Sequence, residues 1–123
     1  MQPLHVVLLQ NDSGAAQLIA SALANTFTAV RRVQSLGELR SSIAKHCAGV
    51  AILDMEAASI SDVEHLSREF PTARIVCTHR LADEDMWTAA VNAGAADIFP
   101  PSDTRGILRA ALQNASLTQT AAA

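Results

Sequence analysis

Gly49-Val50-Ala51-Ile52-Leu53-Asp54 is the stretch that decides the fold, because four apolar residues run directly into one carboxylate. A short continuous apolar run is typical of a strand that is buried on both faces, as in a parallel sheet. In an open α/β sheet, ligands and chemistry gather at the carboxyl ends of the strands. Asp54 lies at such an end, so the sequence predicts a functional site around it.

Four other segments on either side of this run also have strand character. They comprise residues 5–9, 28–33, 73–78 and 96–99. The second of these is β-branched and more polar than the others, which favours an edge strand. The last is short, and Pro100-Pro101 ends it because proline has no N–H to donate to a neighbouring strand.

Helical spacing of apolar residues between and after the strands predicts five helices. Residues that suit helix N-termini mark four of them. Asp12 or Ser13 can cap the first helix and Asp103 the last, whereas Ser35 and Ser61 both have the spacing of a capping box. A fourth helix over residues 83–93 is expected to end at Gly94. The inner faces are expected to include Leu18, Cys47 and Leu112.

Five strands that alternate with five helices predict a parallel sheet covered by helices on both faces. Right-handed crossovers are nearly obligatory in such sheets, and the flavodoxin-like strand order 2-1-3-4-5 is the common five-stranded solution. The length suits a single domain over residues 1–123. Its core is expected over about residues 4–115, with residues 117–123 as a tail or the start of a linker.

The composition of the chain excludes some classes of function and indicates where the protein is located. Half of the residues are hydrophobic, the net charge is −3, and Lys45 is the single lysine, so direct nucleic-acid binding is not expected. Since the sequence shows neither a signal peptide nor an apolar run that could span a bilayer, we expect a cytoplasmic protein without membrane contact. Cys47 and Cys77 are expected to be buried thiols and not a disulfide.

Three features in order along the chain resemble one family. Asp54 ends the third strand, Thr78 ends the fourth, and Asn92-Ala93-Gly94-Ala95-Ala96-Asp97 leads into the fifth. Over about residues 4–115 the chain resembles the receiver (CheY-like) domain of two-component response regulators, here an atypical member. The resemblance implies a flavodoxin-like three-layer sandwich and a signalling module, not an enzyme. It also implies that Asp54 is the phospho-acceptor and that Thr78 contacts the phosphoryl group.

The chain departs from the receiver pattern at the charged positions. The family holds Mg²⁺ with an acidic pair after the first strand, where this chain has Gln10-Asn11. A lysine after the fifth strand pairs with the phosphoryl group in the family, and here Pro100-Pro101-Ser102 stands in its place. The aromatic position of the fifth strand falls on Ile98. A charge-assisted contact to phosphate contributes roughly 1.5–3 kcal/mol, so we expect Mg²⁺-dependent phosphorylation to be impaired.

Some polar residues near these positions have two interpretations. Asp12 and Glu56 would complete a rearranged metal site with Asp54, although a helix cap and a solvated loop residue are the ordinary roles for the first two. His79 would replace the missing cation when protonated, or it is a surface histidine. Trp87 would anchor a partner, or it lies half-buried against the sheet.

These observations leave three hypotheses. The first is a receiver that works through protein contacts, with a histidine kinase or another signalling protein as partner. It includes a homodimer through the face made by the fourth helix, fifth strand and fifth helix. The second is a conventional receiver in which Asp54 accepts phosphate from a histidine kinase beside a rearranged metal site. The third, a small flavodoxin-like enzyme or cofactor binder, is disfavoured because the chain has no glycine-rich phosphate loop.

Overall fold

The computed structural model describes residues 5–112. Leu4 and Ala115 at the predicted core boundaries, and the predicted tail at residues 117–123, lie outside this range. The elements are β1 (His5–Leu9), α1 (Ser13–Ala24), β2 (Ala29–Val33), α2 (Leu36–His46), β3 (Val50–Asp54), α3 (Ile60–Glu69), β4 (Arg74–Thr78), α4 (Glu84–Ala93) and β5 (Asp97–Phe99), followed by helix α5 over residues 104–112.

The strands form one parallel sheet in the order β2-β1-β3-β4-β5, which confirms the flavodoxin-like order and the edge position of β2. All five residues of the central strand β3 are buried. Apolar side chains of α2, α3 and α4 cover one face of the sheet, and those of α1 and α5 cover the other. None of the helices within residues 5–112 combines the length and the apolar character needed to cross a membrane.

Alternation along β3 explains why both faces need cover. Ala51 and Leu53 pack into the cluster beneath α2, α3 and α4, whereas Val50 and Ile52 pack into the cluster beneath α1 and α5. Because successive strand side chains point to opposite faces, an uninterrupted apolar strand must be covered on both. The continuous run in the sequence therefore fixes the three-layer arrangement.

Helix α3 begins two residues before the predicted start. Its N-cap is Ser59 and not Ser61: the Ser59 hydroxyl accepts from the Asp62 N–H, and the Asp62 carboxylate accepts from the Ser59 N–H. An aspartate at the third helical position thus completes the capping box, a role that the sequence prediction gave to a glutamate. The other boundaries lie close to their predictions, and Asp12 is the residue that caps α1.

Three positions expected on inner helix faces are exposed. Leu18 is 62% exposed and Leu112 38%, because narrower apolar stripes already cover the sheet. The Cys47 prediction is wrong because the helix ends there. Cys47 is the exposed C-cap of α2, with a left-handed backbone (φ 50°), which turns its thiol away from the core. Cys77, on β4, is buried as predicted.

Candidate functional site

Asp54 and Thr78 lie side by side where β3 and β4 end. They are partners in the parallel register, and the Met55 N–H donates to the Thr78 carbonyl oxygen at 2.8 Å. Both residues are buried, with exposures of 2% for Asp54 and 0% for Thr78. Strand pairing thus brings together the two residues that the sequence singled out.

Two backbone N–H groups hold the Asp54 carboxylate in place. Oδ2 accepts from the Asn11 N–H at 3.1 Å, and Oδ1 accepts from the Glu56 N–H at 2.9 Å. The first donor belongs to the loop after β1 and the second to the loop after β3. Hydrogen bonds of this kind replace part of the hydration that a carboxylate loses when it is buried. Each oxygen of Asp54 therefore already has one protein partner.

Gln10 links Asp54's neighbour Thr78 to the end of β1. The Gln10 side chain is largely buried, its Nε2 donates to the Thr78 hydroxyl at 3.1 Å, and its Oε1 accepts from the Asp12 N–H at 3.3 Å. In the sequence, Gln10 stands out only as a neutral residue where receivers have an acid. The structure shows that the amide has a role of its own, as a bridge between two strand ends.

Asp12 and Glu56, the other two predicted metal ligands, are both engaged in other contacts. Asp12 Oδ1 accepts from the N–H groups of Gly14 at 2.9 Å and Ala15 at 3.2 Å, as the N-cap of α1. Glu56 pairs with Arg80: the distance from Arg80 Nη2 to Glu56 Oε1 is 2.7 Å, and Arg80 Nε also donates to Oε1 at 2.9 Å. This hydrogen bond is the main cause that lowers the pKa of Glu56 and raises that of Arg80.

Asp54 and its neighbours at the strand ends, but not Thr78, line one open cavity of about 400 Å³. It is lined by Gln10, Asn11, Asp12, Asp54, Glu56, Arg80 and Pro101. Pro101 belongs to the segment where the family resemblance places a lysine. Within the described chain, the cavity lining thus carries three carboxylates and one cationic side chain, that of Arg80.

The donor set of this cavity does not fit the metal ion that the resemblance implies. No group of three or more His, Cys, Asp or Glu side chains among residues 5–112 is arranged to hold a metal ion. Gln10 and Asn11 supply no charge, Asp12 caps a helix and Glu56 faces a guanidinium. Mg²⁺ prefers a charged oxygen set in near-octahedral geometry. Although Asp12, Asp54 and Glu56 share a cavity, they do not form such a set.

Arg80 is the site residue that the sequence analysis missed. Arg80 follows Thr78 by only two residues, and this closeness to the end of β4 is the sequence feature that could have identified it as a site residue. The cation considered instead was His79, which does not line the cavity. The His79 ring accepts the Leu81 N–H on Nδ1 at 2.9 Å, so it serves the turn that leads toward α4.

The α4 and β5 side of the molecule carries a partly exposed aromatic residue. Trp87 is 46% exposed, and its indole Nε1 donates to Asp97 Oδ1 at 3.0 Å. Ile98, at the aromatic position of receivers, is buried beneath the α2–α4 layer. Phe99 packs on the opposite face of the sheet, as strand alternation predicts. The aromatic surface here therefore comes from α4 and not from β5.

No family model matches the chain, and no curated protein matches it in sequence. Solved structures do match it in fold. The receiver domain of a Bacteroides fragilis response regulator superposes with a TM-score of 0.82 at 21% identity, over 93% of this chain and 98% of that one. A response regulator from Thermotoga maritima gives 0.79 at 16% identity, over 94% and 99% of the two chains.

A CheY-like protein, tadZ from Pseudomonas aeruginosa, gives a TM-score of 0.70 at 23% identity, over 89% of this chain and 94% of that one. These similarities confirm that the chain has the fold of receiver domains, as the sequence predicted.

Proposed function

We propose that this chain is a receiver-like module of two-component (phosphorelay) signal transduction that acts through protein contacts, with Mg²⁺-dependent phosphorylation impaired. One observation carries the proposal. In a receiver fold, the cavity beside the strand-end pair Asp54 and Thr78 is lined by Gln10, Asn11 and Pro101 at the positions where receivers have charged groups. The fold supports a signalling role, and the altered lining supports a loss of the chemistry.

The electrostatics explain why the chemistry is expected to be weak. Phosphoryl transfer depends mainly on positioning and on cations that neutralise developing charge. Two neutral amides replace the acidic pair, and a proline replaces the lysine. Each lost charge-assisted contact removes roughly 1.5–3 kcal/mol, so together they slow the reaction by on the order of a hundredfold or more.

The surface proposed for partner contacts is the face made by α4, β5 and α5. Trp87 on α4 and Leu112 on α5 are large exposed apolar side chains on two of these elements. The hydrogen bond to Asp97 holds the Trp87 ring in one orientation, which favours its use as an anchor. A histidine kinase, another signalling protein or a second copy of this chain is the proposed partner, in the cytoplasm.

Amide NMR with Mg²⁺ and beryllofluoride, a phosphoryl mimic, tests this proposal. We expect no response centred on Asp54, Thr78 and β5 at millimolar Mg²⁺. A saturable response at those amides would show a working acceptor site and would overturn the loss of Mg²⁺-dependent chemistry. The proposed surface is tested by sedimentation of the wild type and of Trp87→Ala, where a homodimer through this face should weaken with the substitution.

A second candidate function is supported by the shared cavity of Asp12, Asp54 and Glu56. In this candidate, Asp54 is a conventional phospho-acceptor that receives phosphate from a histidine kinase, and Asp12 and Glu56 form a rearranged metal site with it. It predicts radiolabel transfer from an acyl-phosphate donor to the wild type and none to Asp54→Asn. Asp85→Asn, an exposed carboxylate in the first turn of α4, is the matched control and should label like the wild type.

A further inference from the structure

The Arg80–Glu56 ion pair extends along the carboxyl edge of the sheet beside Asp54. Arg80 lies in the loop after β4 and Glu56 in the loop after β3. Two nitrogens of the guanidinium, Nη2 and Nε, contact the Glu56 carboxylate at 2.7 and 2.9 Å. The Glu56 side chain is 28% exposed, whereas that of Arg80 is 77% exposed, so the arginine is the more solvent-exposed partner of the pair.

The charge of Arg80 also reaches the other two carboxylates of the cavity. Glu56 is the main cause of the raised pKa of Arg80, and Asp12 and Asp54 act in the same direction through space. Three acidic side chains around one cavity would otherwise repel each other. The guanidinium thus supplies positive charge at the place where receivers use a divalent ion.

We propose that Arg80 is a built-in cation that takes the place, beside Asp54, of both the metal ion and the lysine of receiver domains. The proposal rests on the proposed function, since it explains how a receiver-like cavity keeps its charge balance without a metal. Arg80 is attached to the chain, so its effective concentration at the cavity is fixed and does not depend on free Mg²⁺. A guanidinium suits this position because its planar fork matches a carboxylate with two donors.

The consequence is a competition between Arg80 and divalent cations. Mg²⁺ loses its water reluctantly, and here it would have to approach carboxylates that already face a fixed positive charge. Removal of the Arg80 charge should leave Glu56 without its ion-pair partner and should lower the positive charge that acts on Asp12 and Asp54, so the cavity should attract Mg²⁺ more strongly. Arg80→Ala should therefore gain an affinity for Mg²⁺ that the wild type lacks.

Amide NMR titration with MgCl₂ tests this competition in three forms of the chain: the wild type, Arg80→Ala and Arg40→Ala. Arg40 is the matched control, because its Nη2 pairs with Glu69 Oε1 at the same 2.7 Å on the surface, and neither residue lines the cavity. Arg80→Lys tests whether charge alone suffices. A parallel titration with NaCl at equal ionic strength removes the contribution of screening.

We expect Arg80→Ala to bind Mg²⁺ about tenfold or more tightly than the wild type, with shifts at the amides of the cavity. Arg40→Ala should behave like the wild type, and Arg80→Lys should lie close to it. Equal Mg²⁺ responses in the wild type and Arg80→Ala, with a folded spectrum in both, would overturn the role of Arg80.

The titration separates this role from the proposed function. If the wild type responds to neither Mg²⁺ nor beryllofluoride and Arg80→Ala gains nothing, the signalling proposal stands and the built-in cation fails. A wild type that binds Mg²⁺ and beryllofluoride at Asp54 would overturn both.

Discussion

The Gln10 side-chain amide donates a hydrogen bond to the Thr78 hydroxyl, with 3.1 Å between Nε2 and Oγ1. This bond joins the end of β1 to the end of β4 across the central strand β3, since β1 and β4 are not neighbours in the sheet. The hydroxyl that the receiver resemblance assigns to the phosphoryl group is thus already a partner of Gln10. Gln10, which stands where receivers have an acid, therefore also holds the hydroxyl beside Asp54 in a hydrogen bond.

A double-mutant cycle on Gln10 and Thr78 measures this bond. Thr78→Val and Gln10→Met each leave a buried polar group without its partner, so each should cost about 1–3 kcal/mol of unfolding free energy. The double variant removes both polar groups and should cost about 1 kcal/mol less than the sum of the two single variants. Urea denaturation of the four proteins gives the coupling energy.

Additive effects of the two substitutions would contradict a direct bond. The slope of the unfolding transition must stay constant across the four proteins for the comparison to hold.

The sequence placed Asp54 and Thr78 at the ends of the third and fourth strands, and their adjacency follows from the predicted strand order. Once β3 and β4 are parallel neighbours that end together, the two side chains must be adjacent. The contact between Arg80 and Glu56 has no such rule behind it. It depends on the path of two loops and on two long side chains, and neither can be derived from the spacing of residues.

Helix ends also differ in how well the sequence predicts them. Gly94 was predictable as a C-cap, because glycine readily adopts the left-handed conformation that ends a helix. Cys47 adopts a left-handed conformation as well (φ 50°), but the apolar spacing of α2 continued through it and predicted one more buried position. Periodicity states which face a residue would take if the helix continued, and it does not state where the helix ends.

Gly94→Ala should destabilise the protein by about 2–3 kcal/mol. Gly94 has φ 118°, and a Cβ added there would lie 2.6 Å from the Ser67 Cβ on α3, so both the backbone and the packing oppose a side chain. Gly37→Ala is the control, because Gly37 lies in the first turn of α2 and its added Cβ would meet only the hydroxyl of the N-cap residue Ser35, at 3.9 Å. The control should stabilise by about 0.5–1 kcal/mol. Thermal unfolding followed by circular dichroism would contradict this account if both variants lost the same stability.

The two thiols should differ sharply in reactivity. Burial raises the pKa of Cys77 to about 12, whereas Cys47 is exposed. Since the thiolate is the reactive form, a thiol reagent should modify Cys47 quickly in the native protein and reach Cys77 only on unfolding. Cys47→Ser should abolish the fast phase. A fast reaction that persists in this variant would place Cys77 within reach of solvent and contradict the burial of β4.

Acid should destabilise the amino end of the sheet through His46. Partial removal from water lowers the His46 pKa below its ordinary value of 6.5, and the nearby charges of Arg31, Lys45 and His5 lower it further. The His5 and His46 rings stack with centroids 5.9 Å apart, so a proton on His46 would place its charge directly against a neighbouring ring.

Below pH 6.5 the unfolded chain binds a proton at His46 more readily than the folded chain does. The stability linked to this group is therefore complete above that pH and is lost as the pH falls through the folded pKa. We expect the urea midpoint to fall between about pH 7.5 and pH 5.5, and His46→Gln to reduce that fall. His65→Gln, an exposed histidine on α3, is the control and should leave the fall unchanged. A pH dependence that is identical in the wild type and His46→Gln would show that His46 contributes nothing to it, because a group that is absent cannot supply the proton linkage.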